Sequence, residues 1–261
     1  MMPGPETANA PAADDAAANS QPRLSIVAPA LDEADNLAAL VDQVDAAVRR
    51  AAGVDAELIV VDDGSTDATP TLLRELMATR PWLRTVRHEQ PSGQSAAMLS
   101  GIAAARGRYV ATIDADLQND PADLPLMLAR CEAGEADMVQ GDRSANRRDT
   151  IVRRYGSAVG RGFRRGLLGD TVRDTGCSAR VVRADIAKAF PLYFKGMHRF
   201  MPAYAKMLGA RIVEMPVRHR PRGAGVPKYG MGVFTRALPG LFDCLAVRWM
   251  IKRHRRGRVA P

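Results

Sequence analysis

A chain of 261 residues with 46% hydrophobic and 25% charged residues is soluble in composition and long enough for one large α/β domain or two small ones. Its net charge of +8 calls for an anionic partner such as nucleic acid, lipid headgroups or a phosphorylated substrate. An aromatic content of 5% argues against nucleic acid, because stacking platforms need Phe, Tyr and Trp beside the Lys and Arg. Cys131, Cys177 and Cys244 lie far apart without CxxC spacing, so no zinc site or disulfide framework follows and a reducing cytosolic compartment fits.

Residues 1–22 are rich in Ala, Pro, Asn and Asp. They have neither the basic start nor the apolar stretch of a signal peptide, and read as a disordered tail. Leu24–Ala28 is an apolar run stopped by Pro29, expected to be a buried strand. Leu37, Leu40, Val41, Val44 and Val48 then recur at helical spacing between Asn36 and Arg50. Glu57–Val61 reads as a second strand, and Thr66 or Asp67 as the cap of a helix through about Thr79, with Pro70 in its first turn. Leu83–Arg87 is a third strand and Gly93–Arg106 a helix of small residues; Arg108–Ile113 is a fourth strand. A helix over Ala122–Cys131 and a strand over Asp137–Gly141 follow. This alternation predicts a mostly parallel sheet with helices on both faces, whose ligands bind at the carboxyl ends of the strands.

The second half differs. Ile151–Leu168 reads as a helix with Val152, Tyr155, Val159, Phe163 and Leu167 on one face and Arg153, Ser157, Arg161 and Arg164 on another. Gly176–Val182 and Arg211–Val217 read as strands around a helix near His198–Leu208. From Met231 the chain is again helical, with an apolar side and the basic end Lys252-Arg-His-Arg-Arg256; such a helix either lies on a membrane or packs on the rest of the domain. No run of about 18 apolar residues exists, so nothing is expected to span a bilayer. A protein of this kind working at a membrane lies on it, favouring anionic lipid, or docks to a small integral-membrane partner.

Asp114-Ala-Asp116-Leu-Gln118 follows the fourth strand directly. Two carboxylates one residue apart repel unless a cation sits between them, and such oxygen ligands suit Mg²⁺ or Mn²⁺. The same pattern also arises from one capping and one solvated Asp. Val60-Val-Asp62-Asp63-Gly64-Ser65-Thr-Asp67 puts two more carboxylates at the end of the second strand. There Asp62 or Asp63 is expected to hydrogen-bond a base or ribose, unless the segment is an ordinary strand-to-helix turn. Pro29, Leu31 and Glu33 close the first strand and can line the same pocket.

A Pro-x-x-x-Glu after strand one, Asp-Asp-Gly-Ser-x-Asp after strand two and Asp-Ala-Asp-Leu-Gln after strand four resemble, in order and spacing, the GT-A (Rossmann-like) fold of glycosyltransferase family 2. Gly141-Asp142-Arg143, the Arg153 and Ser157 pair, Asp174–Ser178, Gly196–Phe200 and Arg222–Gly230 are similar to its dolichol-phosphate mannosyltransferase and polyprenyl-phosphate glycosyltransferase branch. The likeness covers about residues 23–250. It implies a glycosyltransferase domain over 23–230, an acceptor loop near 219–230, and a basic membrane-surface segment over 231–261. It implies nucleotide-sugar binding by Pro29, Leu31, Glu33, Asp62, Asp63, Gly93, Gln94 and Asp114, and metal at Asp114, Asp116 and Gln118. Acceptor-phosphate binding is implied at Arg143, Arg153, Ser157, Arg222 and Lys228, with Asp116, Arg143 and Arg153 closest to the chemistry. Two departures stand out: Pro227 replaces the usual Ser before the loop Lys, and the C-terminal transmembrane helices of many relatives are missing.

The residues themselves support the phosphate half. Nine arginines between Arg143 and Arg173 face only Asp149 and Asp170, a charge run that more often marks a solvated helix face. Arg153 and Ser157 lie one helical turn apart, and guanidinium groups bind phosphate bidentately. The expected function is metal-dependent, inverting transfer of a hexose from GDP-mannose or a UDP-sugar to a polyprenyl phosphate, on the cytoplasmic face of a membrane. The competing readings are a family member acting on a saccharide or protein hydroxyl, which needs a general base, a nucleotidyltransferase, and a membrane-surface scaffold with a vestigial donor site. His198 can be proposed as such a base, although a lone histidine more often serves structure.

Overall fold

The computed structural model describes residues 21–144, 162–221 and 233–255, with side chains in the last stretch from 240 onward. Seven strands form one sheet: β1 (Leu24–Ala30), β2 (Ala56–Asp62), β3 (Leu83–Arg87), β4 (Tyr109–Thr112), β5 (Met138–Asp142), β6 (Arg180–Arg183) and β7 (Ile212–Pro216), in the order β3-β2-β1-β4-β6-β5-β7. Strand β6 runs antiparallel to β4 and β5, and every other pairing is parallel. The expected mostly parallel sheet is therefore present, with one reversed strand.

The apolar runs explain the strands. Every residue of β2 is buried, as both faces of a parallel sheet covered by helices require. Alternate residues feed two cores. Ile26, Leu58 and Val60 pack beneath α1 (Ala34–Val44), α2 (Thr69–Thr79) and α4 (Leu124–Glu132). Val27, Ile59 and Val61 pack on the opposite face beneath α3 (Gln94–Ala104), α6 (Met201–Met207) and α7 (Val233–Arg253), together with Phe190 just beyond α5 (Ala184–Lys188).

Several boundaries differ from expectation, each for a local reason. Pro29 does not stop β1 but pairs opposite Val61 in a strand that ends at Ala30. The β4 ladder reaches only Val27, so no partner on that side needs the N–H that proline lacks. Helix α2 starts at Thr69 with Ala68 at the cap position rather than Thr66 or Asp67, because those two residues belong to the turn that wraps the Asp32 carboxylate, although Asp67 Oδ1 still accepts from Thr69 N at 2.9 Å. The first helix passes into a π-helical turn over Asp45–Ala51. Strand β6 begins at Arg180, not Gly176, because the carbonyls of Asp174 and Cys177 accept from the Gln140 side chain instead of a ladder partner. Of the helix expected over 151–168, residues 162–168 are helical and the rest lies outside the described residues. No helix among the described residues is long and apolar enough to cross a membrane.

Candidate active site

The chain moves from β1 outward to β2 and β3, then returns to place β4 on the other side of β1. That change of direction opens a crevice at the carboxyl ends of β1 and β4, where open α/β sheets hold ligands. A cleft of about 810 Å³, part of it open to solvent, lies there, lined by Pro29, Ala30, Leu31, Glu33, Asp63, Gln94, Ala97, Asp114, Ala115 and Asp116. Most residues implied for donor binding thus converge on one cavity.

The loops after β1 and β2 are tied together. Asp32 adopts φ +46°, a left-handed conformation that Asp tolerates. Its Oδ1 accepts from Thr66 N at 2.8 Å and Asp67 N at 3.4 Å, and its own N–H donates to Ser65 Oγ at 2.8 Å. Glu33 accepts from Asn36 Nδ2 at 2.6 Å and is anchored through its N–H to Thr69 Oγ1.

The two adjacent aspartates have separate tasks. Asp62 is 1% exposed and does not line the cleft. Its Oδ1 accepts from Ser65 N at 2.9 Å and its Oδ2 faces Arg87 at 3.2 Å, so it closes the turn. Asp63 reaches the cleft but also accepts from His88 Nδ1 at 2.7 Å and from Ser92 N and Gly93 N at 2.8 Å each. It therefore fixes the loop that leads into α3. A Cβ on Gly64 would lie 2.5 Å from the Gln90 carbonyl carbon, so only glycine lets the two loops approach this closely. Gly93 contributes backbone at φ +92°, and the next residue, Gln94, donates from Nε2 to Asp114 Oδ1 at 3.0 Å.

Asp114 and Asp116 stand together at the cleft floor. Burial, and then the nearby Asp116 charge, raise the Asp114 pKa above the usual carboxylate range, although Ser178, Arg143 and Arg180 oppose the rise. A carboxylate so disfavoured in its charged form is the kind that a divalent ion relieves. The Gln118 backbone braces this loop: its N–H donates to Asp116 Oδ1 at 3.1 Å and its carbonyl accepts from Arg220 N at 2.9 Å. Its side chain is not among the cleft-lining groups. Leu117 at φ +65° makes that reversal. Arg218 and Arg220 pair with Asp120 at 3.1 and 2.5 Å. The base of the segment that continues to Arg222 is thus pinned to the carboxylate loop.

Arg143 leaves the end of β5 and pairs with Asp174, Nε to Oδ2 at 2.7 Å and an Nη to Oδ1 at 3.1 Å. Burial alone would lower its pKa, but Asp174 outweighs this and keeps it charged. Beneath lies Arg180, which sequence reasoning did not single out. It is 2% exposed and donates to Gln140 Oε1 at 3.1 Å, to the His198 carbonyl at 3.2 Å and to the Thr175 and Cys177 carbonyls. Ser178, at the far end of the same turn, places its hydroxyl against Asn119 Oδ1 at 2.7 Å and against the Asp114 carboxyl. Gln140, Asp174 and Arg180 hence set the wall that carries Arg143. The Gln140↔Arg180 pairing of β5 with β6 creates this group, and no sequence motif announces it. His198 is held by Ser95, whose Oγ lies 2.9 Å from Nδ1 and accepts from His198 N at 3.2 Å. Burial pushes its pKa down to about 3, which makes it a weak base with a structural task.

Arg153, Ser157, Arg222, Lys228 and Pro227 lie outside the described residues.

Residues 25–190 match the model of the Glycosyl transferase family 2 domain. Over 232 residues the chain is 38% identical to the dodecaprenyl-phosphate galacturonate synthase of Rhizobium johnstonii, covering 88% of this chain and 67% of that protein. It is 34% identical to the undecaprenyl-phosphate 4-deoxy-4-formamido-L-arabinose transferase of Edwardsiella ictaluri, covering 85% and 67%. Glucosyl-3-phosphoglycerate synthase from Mycobacterium tuberculosis, crystallised with Mg²⁺ and uridine diphosphate, shares the fold at a TM-score of 0.63 and 23% identity, over 89% of this chain and 81% of that one. A switch-point cleft with carboxylates at both strand ends, inside a matched stretch that spans all of that machinery, makes the chain a glycosyltransferase of family 2.

Proposed function

We propose that this enzyme transfers a hexose, with inversion, from a nucleotide-diphosphate sugar to a polyprenyl phosphate, working as a peripheral protein on the cytoplasmic face of a membrane. One observation carries the reading: the carboxylate pair Asp114 and Asp116 lines a cleft within electrostatic reach of Arg143 at the end of β5 and Arg180 in β6. Two relatives above 30% identity are named for transfer to prenyl phosphates.

The carboxylates fit a divalent ion, since Asp114 is destabilised as an anion by burial and by Asp116. Among the described residues no cluster of three or more His, Cys, Asp or Glu is placed to hold one. Asp114 and Asp116 would therefore supply the protein's share, with Mg²⁺ or Mn²⁺ completing its shell from phosphate oxygens and water. Such an ion, when bound, neutralises charge on a departing diphosphate. Asp63 and Gln94 hold the loop and the carboxylate against which the donor lies, and Glu33 and Leu31 close the other side.

On the acceptor side no general base is required. A phosphate monoester is already largely ionised at neutral pH, its second pKa being about 6, and can attack the anomeric carbon if held in line. Arg143, fixed by Asp174, and Arg153, Ser157, Arg222 and Lys228 are proposed to hold that anion. His198, with its pKa near 3, gives little support to transfer onto a neutral hydroxyl. A donor panel of GDP-mannose and UDP-sugars with a short-chain polyprenyl phosphate and Mg²⁺ or Mn²⁺, read by the mass of the lipid product, tests the assignment. Asp116→Ala and Arg143→Ala should each lower turnover by about 10²-fold or more. Wild-type rates in either variant, or product only with a saccharide acceptor, would overturn it.

A further inference from the structure

Helix α7 is apolar on two opposite sides. Cys244 and Val247 are buried in the core and Ile251 packs against it, at spacings of three and four residues. Phe242, Leu245 and Trp249, at the same spacings on the opposite side, are 67%, 46% and 61% exposed. A helix that only packed on the domain would carry polar residues there.

A second element presents the same chemistry beside it. In the turn between α5 and the short helix at Met197–Phe200, Tyr193 and Phe194 are 75% and 63% exposed, and Lys195 follows. This turn is fastened to α7. Arg199 reaches Asp243 at 3.5 Å, and Gly196 backs onto the same carboxylate closely enough that a Cβ there would sit 3.3 Å from it. Asp243 lies on the flank of α7 between its buried and its exposed sides, so the turn abuts the helix alongside the outer side. Its acid is already paired, whereas Lys252, Arg253 and Arg255 at the helix end are exposed, with the Arg253 guanidinium 5.9 Å from the Trp249 ring.

From this juxtaposition we infer that the Tyr193–Phe194 turn and the outer side of α7 form one docking surface for an anionic bilayer, with the turn as the inserting finger. Aromatic side chains belong at the depth of lipid headgroups, and the cations beside them match anionic lipid. Soluble monomers rarely leave so many large apolar groups together in water. The choice of a bilayer over a second copy of the chain rests on this charge match and on the lipid-acceptor reading above.

The test is flotation of the full chain with vesicles of phosphatidylcholine, with and without phosphatidylglycerol, followed by turnover of a water-soluble short-chain acceptor without vesicles. The wild type should float with the anionic vesicles. The double variants Y193S/F194S and F242S/W249S should lose about tenfold in partitioning, as fits the removal of exposed aromatic anchors, and K252E/R253E should lose the preference for phosphatidylglycerol. All three should keep wild-type turnover of the soluble acceptor. Leu126→Ser, which removes an exposed leucine on the opposite face of the sheet, should change neither. A wild type that stays in solution, or aromatic variants that float as it does, would overturn the surface. So would light scattering that shows a dimer dissociated by the same variants without any flotation. Flotation with no turnover of any polyprenyl phosphate would instead sink the acceptor assignment and leave the docking surface standing.

Discussion

Arg180 keeps a formal charge in a place closed to water, where its hydrogen-bond acceptors are neutral and the carboxylates that act on it, Asp114 and Asp174, do so through space. Its planar fork satisfies Gln140 and three carbonyls at once, which the three donors of an ammonium cannot match. Arg180→Met should remove this donor from Gln140 Oε1 and from the His198 and Thr175 carbonyls, at about 1–3 kcal/mol for each acceptor left unpaired, seen as a lower urea midpoint. Arg180→Lys should fold but raise the acceptor KM more than the donor KM, because the turn it holds carries Asp174 and hence Arg143. Equal effects on both KM values would reduce Arg180 to a packing residue. None of this was legible in the sequence. Asp114 and Asp116 could be read because they are neighbours in the chain. Gln140 and Arg180 become neighbours only through strand pairing. The separate tasks of Asp62 and Asp63 were equally hidden, since adjacent strand residues point to opposite faces and nothing in the sequence says which faces the ligand.

At the scale of elements, strands with unbroken apolar runs were read almost to the residue, β2 among them, because burial on both faces leaves a plain signal. Ends were misread where side chains compete for backbone groups, as at α2 and β6. Helix α3 was read as a helix of small residues, and its packing supplies the reason. A Cβ on Gly101 would lie 2.3 Å from Val27 Cγ1 and 2.9 Å from Val61 Cγ2, so the helix rests directly on β1 and β2. Gly101→Ala should therefore destabilise the fold by about 1–3 kcal/mol through overpacking, despite alanine's better helix propensity. The check is a urea melt; a stabilised variant would contradict the packing. Because α3 begins at Gln94, beside Asp114, a shift of this helix should also raise the donor KM.

For the whole molecule, acid is the sensitive direction. His198 has a folded pKa depressed to about 3, so the unfolded chain binds its proton first and stability falls as pH drops below the ordinary imidazole value. Burial alone would raise Glu57, but Ser25, Arg84 and the Arg106 N–H outweigh it and hold its pKa low. Asp137 is held low chiefly by the Arg211 N–H. The stability these two carboxylates contribute is present above their unfolded pKa values and is lost as pH falls through their folded ones. Thermal melts should accordingly show two acid limbs, one starting below about pH 6.5 and a steeper one in the carboxylate range. His198→Asn should flatten the first and leave the second. A melting temperature constant from pH 7 to 5 would contradict the buried neutral imidazole.

The reversal of β6 has a consequence for how such a molecule diversifies. Strand β5 ends, and antiparallel β6 begins, at the same edge of the sheet. The chain therefore leaves β5 at Arg143 and re-enters the sheet at Arg180 on one rim, where Arg143, Asp174 and Ser178 stand. The donor carboxylates stand on strand ends outside that excursion. An excursion of this kind can be lengthened, shortened or exchanged as one cassette while the nucleotide-facing strands keep their register. Under the function proposed above, this rim carries part of the acceptor site, and the topology leaves that part open to change.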